Sequence, residues 1–241
     1  MTNLVIEIGN TALKAAWADG ITLGKTFRYQ GERTMDFILS LTARTKPDVM
    51  VISTVRDLSG HNVEILRNEC TRLILMDSKH QDVSVNWNIP TYLTPDRAAS
   101  IIASRFLFKG SACTIFDFGT IMTVDFLDRD GVHTGGNITT GCRTRFKAVN
   151  RYSRSLPLLD TPVDNVQAGT DVQSSIESGI VSGIMFEIQG YMALHPENVV
   201  IFTGGDAIYF AKRMKNSIFV VCNLVLMGLA LIADRYEENN S

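Results

Sequence analysis

The chain has 241 residues, with 23 Lys and Arg against 25 Asp and Glu, for a net charge of −2. Hydrophobic residues make up 45% and charged residues 20%, which is a globular composition and excludes intrinsic disorder and a coiled coil. So small a net charge supplies no drive toward nucleic acid or anionic lipid, and the expected partners are small molecules or other proteins.

The length admits one large domain or two of half size. The cysteines (Cys70, Cys113, Cys142, Cys222) contain no Cys-x-x-Cys pair, and the four histidines are scattered. That spacing excludes a zinc ribbon or disulfide scaffold and suits reduced thiols in a cytoplasm. The opening residues carry no basic stretch, and Glu7 interrupts the first apolar run, so no secretion signal is expected. The longest apolar stretch, Ile218 to Ala233, is broken by Asn223 and Gly228 and is shorter than the roughly 20 residues of a membrane span.

Leu4 to Gly9 reads as a strand with an acid, Glu7, near its end. A Gly9-Asn10-Thr11 turn and the segment Leu13 to Ala18, with Lys14 near its start, make this a β-hairpin, because Gly and Asn tolerate positive φ. A third strand spans Ile21 to Tyr29. Helical spacing covers Arg33 to Arg44, Val49 to Ser53 is a buried strand, Asn62 to Asn68 a helix, and Leu73 to Met76 another strand. The polar, Pro-interrupted segment Asp77 to Pro95 reads as a functional loop, and Asp96 to Phe108 as a helix ended by Lys109-Gly110.

The opening pattern then returns. Thr114 to Thr120 is again an apolar strand with an acid, Asp117, one residue before a Gly119-Thr120 turn, and Met122 to Leu127 is the outgoing strand. Such self-similarity at half length is the signature of a duplicated domain with a cleft between the copies. Gly135 to Ile138 reads as a turn, Gly141 to Arg154 as a helix, Leu156 to Pro162 as a loop, and Asp171 to Met192 as a long helix. Val199 to Phe202 is a buried strand running into Thr203-Gly204-Gly205-Asp206. A strand near Ile218 to Val221 and a helix from Asn223 to about Glu237 close the chain. Hairpins followed by α/β crossovers, twice, give an α/β fold of two duplicated ribonuclease-H-like domains, residues 1–110 and 111–241.

An acid at the end of a buried strand before a Gly-Asn-Thr or Gly-Thr turn has a chemical use. Backbone N–H groups and hydroxyls of the turn cradle phosphate oxygens, and the acid holds a cation that offsets their charge. Gly204 and Gly205 allow a base or sugar to approach the backbone closely. Asp96-Arg97 at a helix start is read two ways, as a carboxylate presented to a substrate or as a helix cap beside a surface arginine. His133 reads as a solvated loop histidine, Asp125 as either a second acid in the cleft or a cap, and Arg143, Arg145, Lys147 and Arg151 as a solvated basic face.

In this order, Glu7 to Lys14, Thr94-Pro95-Asp96-Arg97, Asp117 to Asp125, Gly135 to Gly141 and Thr203 to Gly205 resemble the motifs of type III pantothenate kinases, members of the acetate-kinase/sugar-kinase/Hsp70/actin superfamily. Ser155-Leu156-Pro157 and Leu224 to Leu229 are also similar, so the resemblance covers nearly the whole chain. It implies an actin-like ATPase fold and a homodimer that phosphorylates pantothenate with ATP, the first step of coenzyme A synthesis. It implies Asp96 as the general base and Arg97 as a pantothenate ligand, whose fork suits a carboxylate. Trp87, Thr94, Pro95 and Val172 fall at further substrate positions. Glu7, Gly9, Asn10, Thr11 and Lys14 match the first phosphate loop, while Thr120, Gly204 and Gly205 match ATP contacts. Asp117 matches the ligand of a potassium or ammonium ion, and magnesium is implied as well.

The chain departs from the family pattern at five of these places. Glu7 stands for Asp, a displacement of about 1.5 Å; Thr94 stands for Gly, Trp87 for Tyr, Thr140 for Pro, and Val172 for Thr, with Thr170 close by. These departures motivate two other readings: a kinase for a different small hydroxy acid, or a degenerate nucleotide-binding regulator.

Overall fold

A computed structural model describes residues 2–163 and 168–238. The strand, turn and strand read at the N-terminus form β1 (Asn3–Ile8) and β2 (Leu13–Asp19), followed by β3 (Thr22–Tyr29), α1 (Thr34–Thr42), β4 (Val49–Thr54), α2 (Gly60–Asn68) and β5 (Arg72–Met76). Within the segment expected as a functional loop lies a short helix, α3 (Asp82–Asn86), and α4 (Pro95–Leu107) follows it. The second half runs β6 (Cys113–Phe118), β7 (Ile121–Leu127), β8 (His133–Thr140), α5 (Cys142–Tyr152), α6 (Val172–Leu194), β9 (Val199–Gly204), α7 (Ala207–Ala211), β10 (Phe219–Val220) and α8 (Leu224–Glu238).

The two five-stranded sheets have the same plan. In the first the order is β3-β2-β1-β4-β5; in the second, read from its far edge, it is β8-β7-β6-β9-β10. In each, the opening three strands are antiparallel neighbours and the later two join parallel beside the first. This is the duplicated ribonuclease-H-like architecture expected from the repeated strand-acid-glycine pattern.

Side chains alternate across each sheet, and that alternation positions the chemistry. On β1, Leu4, Ile6 and Ile8 enter a core with Ile38, Met50, Ile52 and Leu66. Val5 and Glu7 therefore share the opposite face. On β6, Phe116 and Phe118 join an aromatic cluster with Phe202 and Phe210, with ring centroids 4.8 Å apart for Phe118–Phe202 and 5.0 Å for Phe118–Phe210. Ile115 and Asp117 point to the other side. Both acids thus emerge from the ends of central strands on the face away from these clusters.

Contacts divide the chain into two units: residues up to Leu107 together with those from Asn223 onward, and Phe108–Cys222 between them. The sequence reading gave residues 111–241 to the second domain, whereas α8 packs on α4 and on β1 and β4 of the first. Gly228 makes that packing close. A Cβ there would lie 2.0 Å from the Ala99 carbonyl oxygen.

Two other readings change. Gly135 to Ile138, expected as a turn, belongs to β8, with Gly136 opposite Asp125 and Ile138 opposite Thr123. An edge strand with mostly exposed side chains carries no apolar alternation by which to recognise it. His133, expected to be solvated, is buried, and its Nε2 lies 2.8 Å from Asp125 Oδ1. That pairing makes Asp125 an internal partner of a histidine and resolves the choice between cleft acid and cap. Cys70, Cys113 and Cys142 are buried thiols, and Cys222 is exposed. Among the described residues no helix is long and apolar enough to cross a membrane.

Overpacking at the α4–α8 contact is testable. Gly228→Ala lowers the unfolding free energy by about 1–3 kcal/mol, the usual cost of forcing extra volume into a tight contact. Gly179→Ala, at an exposed position of α6 with nothing within 4 Å of the added Cβ, raises it by about 0.5–1 kcal/mol through helix propensity. Urea denaturation of both variants checks the opposite signs.

Candidate active site

The β1–β2 hairpin is closed by a hydrogen bond from the Gly9 amide to the Ala12 carbonyl, 3.0 Å. A Cβ on Gly9 would sit 3.2 Å from that same oxygen, so a larger residue would press on the turn. Register puts Lys14 directly opposite Glu7, and its Nζ reaches Glu7 Oε2 at 3.2 Å. The Glu7 side chain is only 14% exposed. Burial pushes its carboxyl above the ordinary value of 4.5; Lys14 pulls it down and the nearby Asp96 charge pushes it up again. Asn10 and Thr11 are at the turn, and both are exposed. The Asn10 carbonyl accepts a hydrogen bond from Arg56, a cation at the hairpin that sequence reasoning did not single out. Its only sequence signal is its place just past the end of β4.

Asp96 is the second residue of α4. The helix begins when the Ala98 amide bonds the Thr94 carbonyl at 3.0 Å, and Asp96 Oδ1 accepts the Arg97 amide at 3.0 Å. Part of the capping use anticipated for this acid is therefore real. The surface-arginine half of that reading is not, because Arg97 is only 6% exposed. Burying a guanidinium is costly unless its donors are answered, so its place inside the fold is a constraint on function or architecture. Thr94 is exposed and Pro95 half-buried at the mouth of the helix.

The second unit repeats the arrangement around Asp117, which is half-buried. A Cβ on Gly119 would lie 3.2 Å from the Ile121 carbonyl, matching Gly9. The turn is clamped from α5. The Gly141 amide bonds the Thr120 carbonyl at 3.1 Å, and Thr144 Oγ1 donates to the same oxygen at 2.6 Å. Gly204 adopts φ +92°, and a Cβ there would be 2.5 Å from Asp117 Oδ1. Only glycine fits that conformation and that gap. Gly204 thus closes over the Asp117 carboxylate, and a Cβ on Gly119 would lie 3.8 Å from the same oxygen. Just beyond Gly205 burial pushes the Asp206 carboxyl up, against the pull of Arg143, an acid the sequence reading listed in a motif without a role. The basic helix face is only partly solvated, since Arg145 pairs with Glu187 at 2.7 Å.

Two further residues expected at substrate positions have these surroundings. The Trp87 carbonyl accepts from Arg105 Nη1 at 2.7 Å; Arg105 is nine residues along α4 from Asp96, a rise of about 13 Å. Val172 opens α6 and is 55% exposed, beside Thr170, which bonds Ser174 Oγ through its amide at 3.1 Å. Thr140 is the last residue of β8.

Residues 3–194 match the family model described as type III pantothenate kinase. The chain belongs to the type III pantothenate kinase family. A member from Phocaeicola vulgatus is 34% identical over 236 residues, covering 94% of this chain and 96% of that protein. One from Cytophaga hutchinsonii is 33% identical with the same coverage of each. Among solved structures, the activator of 2-hydroxyisocaproyl-CoA dehydratase from Clostridium difficile with bound ADPNP superposes with a TM-score of 0.60 at 14% identity, covering 100% of this chain and 97% of that one. A ROK hexokinase from Thermus thermophilus gives 0.53 at 13% identity, covering 96% and 98%. At such identities the structures speak for the fold, which is that of the actin-like ATPases and sugar kinases.

Among the described residues no three His, Cys, Asp or Glu side chains cluster to cage a metal. Magnesium needs no such cage, since it is ordinarily held by one or two carboxylates and by substrate phosphates. The glycine-walled space at Asp117, which a Cβ would fill, likewise fits a cation or a phosphate oxygen.

A pH experiment reads the burial of Glu7. Because its folded pKa is raised, its contribution to stability is complete below 4.5 and is lost as pH rises through the folded value. Glu7→Gln removes this dependence. The stability of the native protein, measured against that variant by chemical denaturation, declines as pH rises from 4.5 and then levels; a constant difference between the two excludes a buried, destabilised carboxylate.

Proposed function

We propose that this protein transfers the γ-phosphoryl group of ATP to the hydroxyl of pantothenate, with Asp96 as general base. The observation that carries this reading is the place of Asp96 in the first turn of α4, in the same unit as the glycine hairpin and near enough for its charge to push the Glu7 carboxyl up. A carboxylate at the start of α4 then stands beside a phosphate-binding turn. Membership of the family supplies the acceptor.

In this mechanism Asp96 takes the hydroxyl proton as the acceptor oxygen bonds to the γ-phosphorus and the bond to the ADP oxygen breaks. Arg97 binds the acceptor carboxylate through its fork, with Thr94 and Pro95 beside it. Asn10 and Thr11, on the turn that Gly9 closes, offer backbone and hydroxyl donors to phosphate oxygens, and Lys14 adds positive charge. Positioning and charge neutralisation account for most of such catalysis. Thr120, Gly204 and Gly205 hold ATP, and Asp117 holds a potassium or ammonium ion. Glu7 would hold magnesium together with the ATP phosphates, and the ion would supply neutralisation of the charge that develops there. A homodimer in the cytoplasm completes the reading, and the exposed Phe186 and Leu194 of α6 give it an apolar surface to bury.

Thr94, exposed where the family has glycine, favours a second reading in which the acceptor is another small hydroxy acid. A coupled assay of ADP release, with pantothenate and a panel of hydroxy acids and with potassium exchanged for sodium, separates the two. Pantothenate-dependent, potassium-stimulated turnover is the expected result. Asp96→Asn lowers kcat by about 10²- to 10⁴-fold, the usual worth of a general base, with circular dichroism and ATP binding unchanged. Retained turnover in that variant removes Asp96 from its role.

A further inference from the structure

Away from these residues the first unit contains a cavity of about 590 Å³, within the roughly 300–1,000 Å³ range of small-molecule sites. It opens between α2, β5, α3 and α8. None of Glu7, Lys14 or Asp96 lines it, and Trp87 on its wall is held by Arg105, nine residues down α4 from Asp96. Its floor is apolar, from Leu73, Leu75 and Ile232.

Its walls are cationic. Arg67, Arg72 and Arg235 converge on it from three different elements, with Asp82 as the acid among the lining side chains. Arg67 is tied to Glu64 at 2.6 Å, and His80 on the rim is tied to Asp77 at 2.9 Å. The other two guanidinium groups are held differently: Arg72 lies 5.0 Å from the centre of the Tyr236 ring and Arg235 lies 4.5 Å from that of Trp87. A ring under the guanidinium plane fixes its orientation and leaves the N–H edges available to an anion, the arrangement in which arginine takes phosphate in a bidentate fork. Both arginines are exposed at the cavity, so the structure provides oriented donors above an apolar floor.

From this geometry we infer that the cavity is a second ligand site, separate from the phosphoryl-transfer residues, that takes a small phosphorylated molecule with an apolar or flat body. The phosphate meets Arg72 and Arg235, and the body lies on Leu73, Leu75 and Ile232. The inference rests on this cavity alone and stands or falls independently of the reaction proposed for Asp96.

Trp87 makes the site self-reporting. The chain has two tryptophans, so Trp17→Phe leaves Trp87 as the source of indole emission. The probe is phenyl phosphate, titrated into the full chain, with inorganic phosphate and benzyl alcohol as the anion and the body alone. The expected result is a saturable change in Trp87 emission with phenyl phosphate. Arg72→Gln/Arg235→Gln weakens it by at least about tenfold, as loss of two charge-assisted contacts requires, and each half-probe binds weaker by a similar factor. Lys14→Ala, at the hairpin, leaves it unchanged. If the double glutamine variant loses its circular dichroism signal, Arg72→Lys/Arg235→Lys keeps the charge, removes the planar forks, and weakens binding in the same direction. No saturable change, an equal response in the arginine variants, or loss of the response in Lys14→Ala overturns the assignment.

Discussion

A carboxylate at the end of a hydrophobic strand is costly to keep charged, and in the first unit that cost sets the local architecture. Glu7 is flanked by Ile6 and Ile8, which face the core, so it cannot turn away from its side of the sheet without shifting the strand by one residue. Lys14 answers it across the hairpin, and this fixes how β1 and β2 are matched. A one-residue slip would send the apolar set of β1 to the wrong face and separate the pair together. The glycine at the turn follows from the same demand, since the chain must reverse within a few residues of the acid. The second unit solves the problem differently. Thr123, a neutral residue, stands opposite Asp117, and the backbone of Gly204 closes over the carboxylate instead. The two halves share a plan while differing in which acid has a cation built in.

This difference bears on the departures from the family pattern. A longer acid at position 7 reaches Lys14 and lies within the influence of Asp96, so the additional methylene is accommodated by an existing partner. Thr94 is accommodated too: its carbonyl starts α4 and its side chain is exposed, which leaves the helix that carries Asp96 unaltered. The indole at position 87 has acquired a partner of its own in Arg235, and this ties it to α8.

The sequence made the two hairpins legible because acid, glycine and strand period all speak within eight residues, and the central strands legible because they are apolar on both faces. It was less informative wherever the decisive neighbour lay far along the chain. His133 has a polar neighbourhood in sequence, yet its partner is Asp125 on the adjacent strand. β8 is an exposed edge, and α7 is five residues long; neither has a period to detect. One of the two readings of Arg97 put it at the surface, because charge at a helix start ordinarily is, and only packing reveals that it is buried. The guanidinium stacking in the cavity joins β5 to the last helix, a pairing that no local pattern announces.

The return of α8 to the first unit has a consequence for how the molecule is made. A ribosome releases the chain from its N-terminus, so β1 to β5 emerge early while the helix that covers one face of their sheet is synthesised only after the whole of the second unit. The middle unit, Phe108–Cys222, is contiguous and has all its strands before the first unit is complete. During synthesis the nascent sheet must therefore wait, with Val5 and Val51 uncovered by α8, for the closing residues that begin at Asn223. Loss of the final helix would leave the older half of the protein unfinished and the younger half intact.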